Sequence, residues 1–478
     1  MKLKIRKIDA IIIVTLIIIA GVVFFKVGYI PNPTSPKIPR IEFEQDDINN
    51  RLIVTFVSTD ILWSDINITG DCDTSLLSKY VLQGDVILNC RGTITIKHNS
   101  TGYSYGSWSF KEVEKLPKSV TTGLRDISPK DEGPHYNKLL VSREWWHYTA
   151  VLSLGCDLPG WTVSISFNHM ARTDLLFNKP DMLMVTIQDP NGNTYGGIVD
   201  RKRPLLGILK EPSLVAEGSD KMFKVSFEDS YVQGLAPNWH IYIDQKDIDE
   251  KNNIVIDLQY FAPSSGIWLF NSRILDKSDG NTGSYMFTGC EVRGNIEING
   301  FTYRVDGVGH HEHTWTSSLI TKNLINGWDL CHIKLNNGWN IYYNKYYVLP
   351  QLKATKTSKI NPFSNLIITT DQGETVTILD NVDIEILESD KLFVLLNIPT
   401  KMKITATSSA SQIILDPYDI ALDLTIEAKN TYWHEWKFPS YVGMKIGSCS
   451  VSGSISWTDD EDHNVDLKGI GTIWNMRH

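Results

Sequence analysis

Beyond its first seven residues the sequence has no block of lysine or arginine longer than Arg201-Lys202-Arg203, and its net charge is −9. An anionic chain without a basic stripe leaves no electrostatic footprint for nucleic acid. Cysteines are few and scattered. There are six in 478 residues, with no Cys-x-x-Cys pair, which argues against a cysteine zinc site. No Gly-x-Ser-x-Gly elbow, Walker loop or dinucleotide fingerprint occurs. The common elbow hydrolases and nucleotide-cofactor enzymes are thereby excluded, and no cofactor is expected. Between Ile41 and His478 no long amphipathic helical period is found either.

What is present is alternation. "WTVSISF" (Trp161–Phe167), "MLMVTI" (Met182–Ile187), "FKVSFE" (Phe223–Glu228), "HIYID" (His240–Asp244) and "IVIDLQY" (Ile254–Tyr260) repeat at period two, the signature of half-buried strands. Asn299-Gly300, Asn337-Gly338 and Asp371-Gln372-Gly373 supply hairpin-grade turns between such runs. The 14 Trp, 19 Tyr and 16 Phe suit strands and large apolar pockets. The fold class predicted is all-β, built of sandwiches or barrels.

The N-terminus breaks the pattern. "MKLKIRK" is followed by "AIIIVTLIIIAGVVFF" (Ala10–Phe25), a run without charge. A helix from Ile8 to Ile30 is long enough to cross a bilayer core of about 30 Å. The basic flank predicts a transmembrane anchor over residues 1–30, with the N-terminus inside and the bulk of the chain extracytoplasmic. "PNPTSPKIPR" (residues 31–40) reads as a stiff linker. Residues 41–112 hold several short strands, enough for a small β-sandwich. Cys72 and Cys90 fall there and are plausible disulfide partners, and the sequons at Asn67 and Asn99 lie in the same segment.

The remainder contains a repeat. "CEVRGNIEI" at Cys290 has a partner in "CSVSGSISW" at Cys449, and "EWWHYTAVL…GWTVSI" from Glu144 has one in "GWDLCHIKL…GWNIYY" from Gly327. A repeat this long means duplicated domains, expected over 120–318 and 319–478. In this alignment Asp329, after Trp328, takes the place of His147. Gly307-Val-Gly309 runs into "HHEHTW" in the first copy. Gly469-Ile-Gly471 runs into "TIW" (Thr472–Trp474) in the second, so the histidines are an addition to what the strand needs.

At these residues the chain resembles hydroxyneurosporene synthase (carotenoid hydratase) and its lipocalin-like relatives. "SPKDEGPH" (Ser128–His135) leading into "EWWHYTAVL" is similar to that family's Pro-Arg-Asp-x-Gly and Glu-Trp-Trp signatures. "GVGHHEHTW" resembles its Asp-His-x-Trp-Gly motif, and Tyr432-Trp433 followed by Val451-x-Gly453 its C-terminal repeat. The resemblance covers residues 120–478. It implies two tandem lipocalin-like (calycin) barrels and addition of water, or cyclisation, at a double bond of an isoprenoid lipid. Glu312 stands where the family has Asp, Thr316 where it has Gly, and His147 where it has an aromatic residue.

Hydrating an isolated alkene needs a proton donor, a dry pocket, aromatic faces that tolerate a cation, and a placed water. Glu312, His313 and Trp315 are the catalytic candidates. Glu144, Trp145, Trp146, His311, Trp328 and Asp329 are the candidates for contacting an apolar substrate. Alternation along a strand sends His311, His313 and Trp315 one way and His310, Glu312 and Thr314 the other. Glu312 is therefore either an acid on a bent strand or a partner orienting a histidine. A purely structural cluster is a second reading. A metal shared by His311 and His313, completed by Glu312 or a distant histidine, is a third. Asp131 and His135 read as braces of the barrel end, and Glu144 as a partner for His313 or Arg143. A non-catalytic lipid carrier is the alternative function.

Overall fold

The structure is a computed structural model. It describes residues 38–46, 51–110 (except 75–76 and 78), 120–121, 127–135, 141–170, 181–201, 213–263 (except 220), 265–269, 283–317, 325–348, 364–370, 375–379, 381–392, 396–407, 414–415, 420–436, 442–458 and 461–477. The expected membrane anchor lies outside the described residues, and among these no helix is long and apolar enough to cross a membrane.

Five strands form a small antiparallel sheet: β1 (Ile41–Asp46), β2 (Arg51–Val57), β3 (Ile66–Asp73), β4 (Val86–His98) and β5 (Ser104–Phe110). Its core gathers Leu52, Val54, Trp63, Ile87, Ile94 and Ile96. Cys72 and Cys90, plausible disulfide partners by their placement, are thiols in the structure. Burial, helped by the nearby Cys72, pushes the Cys90 thiol up to about 12. Arg51 ties this sheet to the rest of the chain by donating to Asp306 and Ser153.

The next twelve strands make one sheet. They are β7 (Val141–Leu152), β8 (Thr162–Met170), β9 (Asp181–Gln188), β10 (Thr194–Arg201), β11 (Leu214–Gly218), β12 (Phe223–Phe227), β13 (Ser230–Leu235), β14 (Asn238–Asp244), β15 (Ile254–Phe261), β16 (Ile267–Trp268), β17 (Gly283–Ile298) and β18 (Phe301–Ser317). The spatial order is β10-β9-β8-β7-β18-β17-β15-β14-β13-β12-β11, with β16 added to β17. The sheet curls until β11 and β12 meet β8, which encloses a core around Trp146, Tyr148, Phe167, Phe223, Trp239 and Trp315.

A nine-stranded sheet follows, from β19 (Ile325–Leu335), β20 (Asn340–Val348), β21 (Ser364–Thr369), β22 (Thr375–Leu379), β23 (Asn381–Leu392), β24 (Leu396–Thr407), β26 (Ala421–Trp436), β27 (Val442–Thr458) and β28 (Asp462–Arg477), in the order β22-β21-β20-β19-β28-β27-β26-β24-β23. The two-residue strands β6 (Val120–Thr121) and β25 (Ile414–Leu415) pair with each other. Among the described residues the chain is all-β, built on two large curled antiparallel sheets.

Where a strand faces one core only, alternation holds: β15 buries Ile254, Ile256, Leu258 and Tyr260 and turns the residues between them outward. It fails in the middle of each large sheet. β9 is buried at every position, as are Gly309–Trp315 of β18 and Gly471–Arg477 of β28. These strands are covered on both faces because the two sheets pack on each other. A third core fills the seam: Trp145, Met182, Met184, Ile267, Leu269, Met286, Trp328, Leu330, Tyr342, Ile367, Met444, Ile446, Trp474 and Met476.

The repeat is visible in register. Gly307 and Gly309 of β18 lie opposite Leu152 and Ala150 of β7, and Gly469 and Gly471 of β28 lie opposite Leu335 and Ile333 of β19. A Cβ at Gly309 or Gly471 would overlap the Thr149 or His332 carbonyl oxygen, so the Gly-x-Gly pairs serve close strand packing. This register corrects the sequence alignment. Asp329 is the counterpart of Trp146, not of His147, and Trp474 is the counterpart of Glu312.

Candidate active site

The two faces of β18 build two different clusters. His311, His313 and Trp315 point into the first barrel, as alternation predicted. His313 Nε2 lies 2.9 Å from Glu144 Oε1, and His313 Nδ1 lies 3.2 Å from the Tyr285 hydroxyl. His135 adds its own Nδ1, 3.0 Å from the same Glu144 oxygen, and its backbone N–H. Its ring stacks on Trp315 at 3.7 Å. His135 is carried by the segment that follows α1 (Pro129–Glu132), whose start is fixed by a Ser128–Asp131 capping box. Glu132 closes that end, accepting from Trp239 Nε1 and the Ala236 N–H.

The protonation pattern of this cluster is that of a brace. Burial alone would raise the Glu144 carboxyl, but the bonds from His135 and His313 together hold it at about 2. Burial lowers His313, with Glu144 opposing. Glu144 is thus an ionised acceptor, and His313, giving one N–H to it, accepts from Tyr285. His311 stacks on Tyr148 at 4.2 Å and meets the His147 carbonyl oxygen through Nδ1. The metal pairing that was the third reading, His311 with His313, is not what the structure brings together. Among the described residues, three ligand atoms within 4.8 Å of one another belong to His135, Glu144 and His313.

Glu312 leaves by the other face, into the seam. No bend of the strand is required, since the second sheet covers that side too. Glu312 Oε1 accepts from Trp145 Nε1 at 3.2 Å and from Thr314 Oγ1 at 2.9 Å. Oε2 lies 3.4 Å from the Tyr342 hydroxyl and 3.7 Å from His332 Nε2. Burial raises this carboxyl above the usual range, against the pull of His147 and the hydrogen bonds. Burial lowers His147 to about 4, and His310 and His332 well below the ordinary histidine value. A carboxyl raised above its ordinary value is therefore surrounded by imidazoles lowered below theirs, although the two kinds of group sit within reach of one another.

The walls are apolar and aromatic. Trp145 stacks on Trp328 at 5.7 Å with Trp474 edge-on to both, and His147 lies 5.0 Å from Trp474. Five of the chain's nine methionines line the seam, the side chain best able to repack around an apolar guest. Trp145 and Trp146 are split between the sites, since Trp146 stacks on His313 inside the barrel at 4.8 Å. Trp328 and Asp329 are split likewise. Asp329 points into the second barrel, where it meets Arg477 at 2.8 Å, Asn475 at 2.6 Å and Tyr347.

His332, Tyr342, Thr149 and Trp474 were not among the expected site residues. The signal was available: in "GWDLCHIKL" His332 shares its strand face with Trp328. Among the described residues, a cavity of about 460 Å³ lies between the small sheet and the first barrel near Arg51, Asp157 and Arg304. One of about 350 Å³ flanks Glu427 and Lys468. A third, about 10 Å³, reaches the seam at Thr149, His310 and His332.

No family model and no curated protein matches the chain. Solved structures similar to it include an AttH-like protein from Nitrosomonas europaea (15% identity, 74% of this chain and 98% of that one, TM-score 0.46). CghA is similar at 10% identity over 75% of this chain and 94% of its own, TM-score 0.49. Kievitone hydratase from Nectria haematococca is similar at 10% identity over 77% and 98%, TM-score 0.46.

Proposed function

We propose that the chain adds a proton, and then water, to a carbon–carbon double bond of an apolar isoprenoid lipid held in the seam between the two sheets. The observation that supports this is Glu312, a buried carboxylic acid whose charged form is disfavoured by burial, set beside Trp145, Trp328, Trp474 and Tyr342. A neutral carboxyl can protonate carbon at neutral pH, and indole faces stabilise the tertiary cation that forms. Cyclisation uses the same first step, with a second double bond capturing the cation in place of water. The charged apolar-flanked N-terminus supports a setting at a membrane, with the sheets extracytoplasmic.

Both the first barrel and the seam are packed, but the seam is lined by methionines, which repack around an apolar guest, and it is the place we assign to the ligand. His313 and Trp315 then hold the barrel end, and Glu312 carries the reaction. The same seam could retain a lipid without altering it. The test is to incubate the full chain with an apolar lipid extract and analyse bound and free lipids by mass spectrometry. A species heavier by one water, formed by wild type and not by Glu312→Gln, is expected. An unaltered co-purifying lipid in both proteins would make it a carrier.

A further inference from the structure

The seam holds more than an acid. Glu312 Oε1 already accepts two hydrogen bonds, from Trp145 and Thr314. Among the described residues Oε2 meets only the Tyr342 hydroxyl, at 3.4 Å, so the more fully occupied Oε1 is the carbonyl oxygen and the acid proton belongs on Oε2. That oxygen is the one 3.7 Å from His332 Nε2. His332 Nε2 is buried and has no hydrogen-bond partner among the described residues, and the same is true of His310 Nε2. Both rings bring Nδ1 to 3.3 Å from the single hydroxyl of Thr149. One hydroxyl has one proton, so Thr149 donates to one ring and accepts from the other. The ring that donates Nδ1–H to Thr149 presents a bare Nε2 lone pair. The cavity of about 10 Å³ opens on Thr149, His310 and His332, close to the space one water needs.

We propose that His332 is the proton acceptor that works with Glu312: it takes the proton from the water that adds to the substrate. The inference rests on the proposed hydration. The proton on Glu312 Oε2 goes to one alkene carbon, leaving a carboxylate and a cation at the other carbon. Water in the Thr149–His310–His332 cavity attacks the cation and forms the C–O bond. The proton released passes to His332 Nε2. From the imidazolium it returns across 3.7 Å to Glu312 Oε2, which restores both groups, and the net change is addition of one water. The group is supplied by the second sheet and the acid by the first, so neither half carries out the reaction alone.

The titratable groups facing His332 are His147 from β7, His310 and Glu312 from β18, and Tyr342 from β20. Reaction needs His332 neutral and Glu312 protonated, so the rate falls on the acid side as His332 gains a proton and on the alkaline side as Glu312 loses one. The experiment supplies an apolar lipid extract in H₂¹⁸O to the full chain and follows ¹⁸O-labelled product over a dilution series and a pH series. His332→Gln is expected to lower turnover about 100-fold, to leave half-saturation nearly unchanged, and to remove the acid limb. If His332→Gln does not fold, Thr149→Val, which releases the ring's orientation, is expected to lower turnover in the same series. A His332→Gln protein that turns over within about threefold of wild type, with the acid limb intact, overturns the role of His332 and leaves Glu312 chemistry standing. Absence of ¹⁸O product from wild type overturns both.

Discussion

Trp145 stacks on Trp328 with ring centroids 5.7 Å apart and planes 11° from parallel, and each is the other's counterpart in the internal repeat. The duplicated strands therefore meet through equivalent residues, and the seam lies across a pseudo-twofold relation. Divergence between the copies made the two sides of this seam unlike. Glu312 faces the seam in the first copy where the second has Trp474, and His332 faces it in the second where the first has Thr149.

Truncating either tryptophan should open the seam. Trp328→Ala is expected to cost about 3–5 kcal/mol in chemical denaturation. Trp145→Phe should cost less in packing. It also removes the N–H that Glu312 Oε1 accepts, which further favours the neutral carboxyl.

Glu144 is held at about 2, below the ordinary carboxylate value of 4.5. Its ionised form therefore stabilises the fold at all pH above 4.5, and that contribution disappears as pH falls from 4.5 to 2. The shift corresponds to about 3 kcal/mol. Glu144→Gln should lose about that much at neutral pH, measured by denaturant titration, and should flatten the acid limb of the stability profile.

Glu132 has the opposite sign. Burial raises it to about 7, despite the donors from Ala236 and Trp239. The folded state then binds a proton that the unfolded state releases, so stability should fall as pH rises from 4.5 to 7. Melting temperature across that interval measures it. Glu132→Gln should remove the slope.

Asp329 and Arg477 form an ion pair inside the second barrel, with Asn475 and Tyr347 on the same carboxylate. Asp329→Asn removes the countercharge of a buried guanidinium and should cost about 3–5 kcal/mol. Replacing both with apolar residues of similar volume should recover most of that loss, as read by a double-mutant cycle.

Much of this fold was legible in period-two runs such as Ile254–Tyr260, because those strands touch one core and water on the other side. The seam was not legible in the same way. "VGHHEHTW" gives no alternation to read, since a second sheet covers the face that ordinarily meets solvent. The expected separation of Glu312 from His313 held, and Glu312 is buried without the strand bend its role as an acid was expected to need. His332 escaped notice because it stands 20 residues from Glu312 in sequence, and only the packing of one sheet on the other joins them. Asp329 was misplaced because matching tryptophan to tryptophan, Trp146 to Trp328, slipped the register by one residue. In a strand that slip exchanges the two faces.

The central claim is that Glu312 is an uncharged acid at neutral pH. Infrared spectroscopy of the full chain in H₂O and D₂O, compared with Glu312→Gln, tests it directly. A protonated carboxyl C=O band present in wild type at pH 7, shifted by deuteration and missing from Glu312→Gln, is the result this account predicts. A wild-type spectrum in which Glu312 contributes only carboxylate bands at that pH would contradict it.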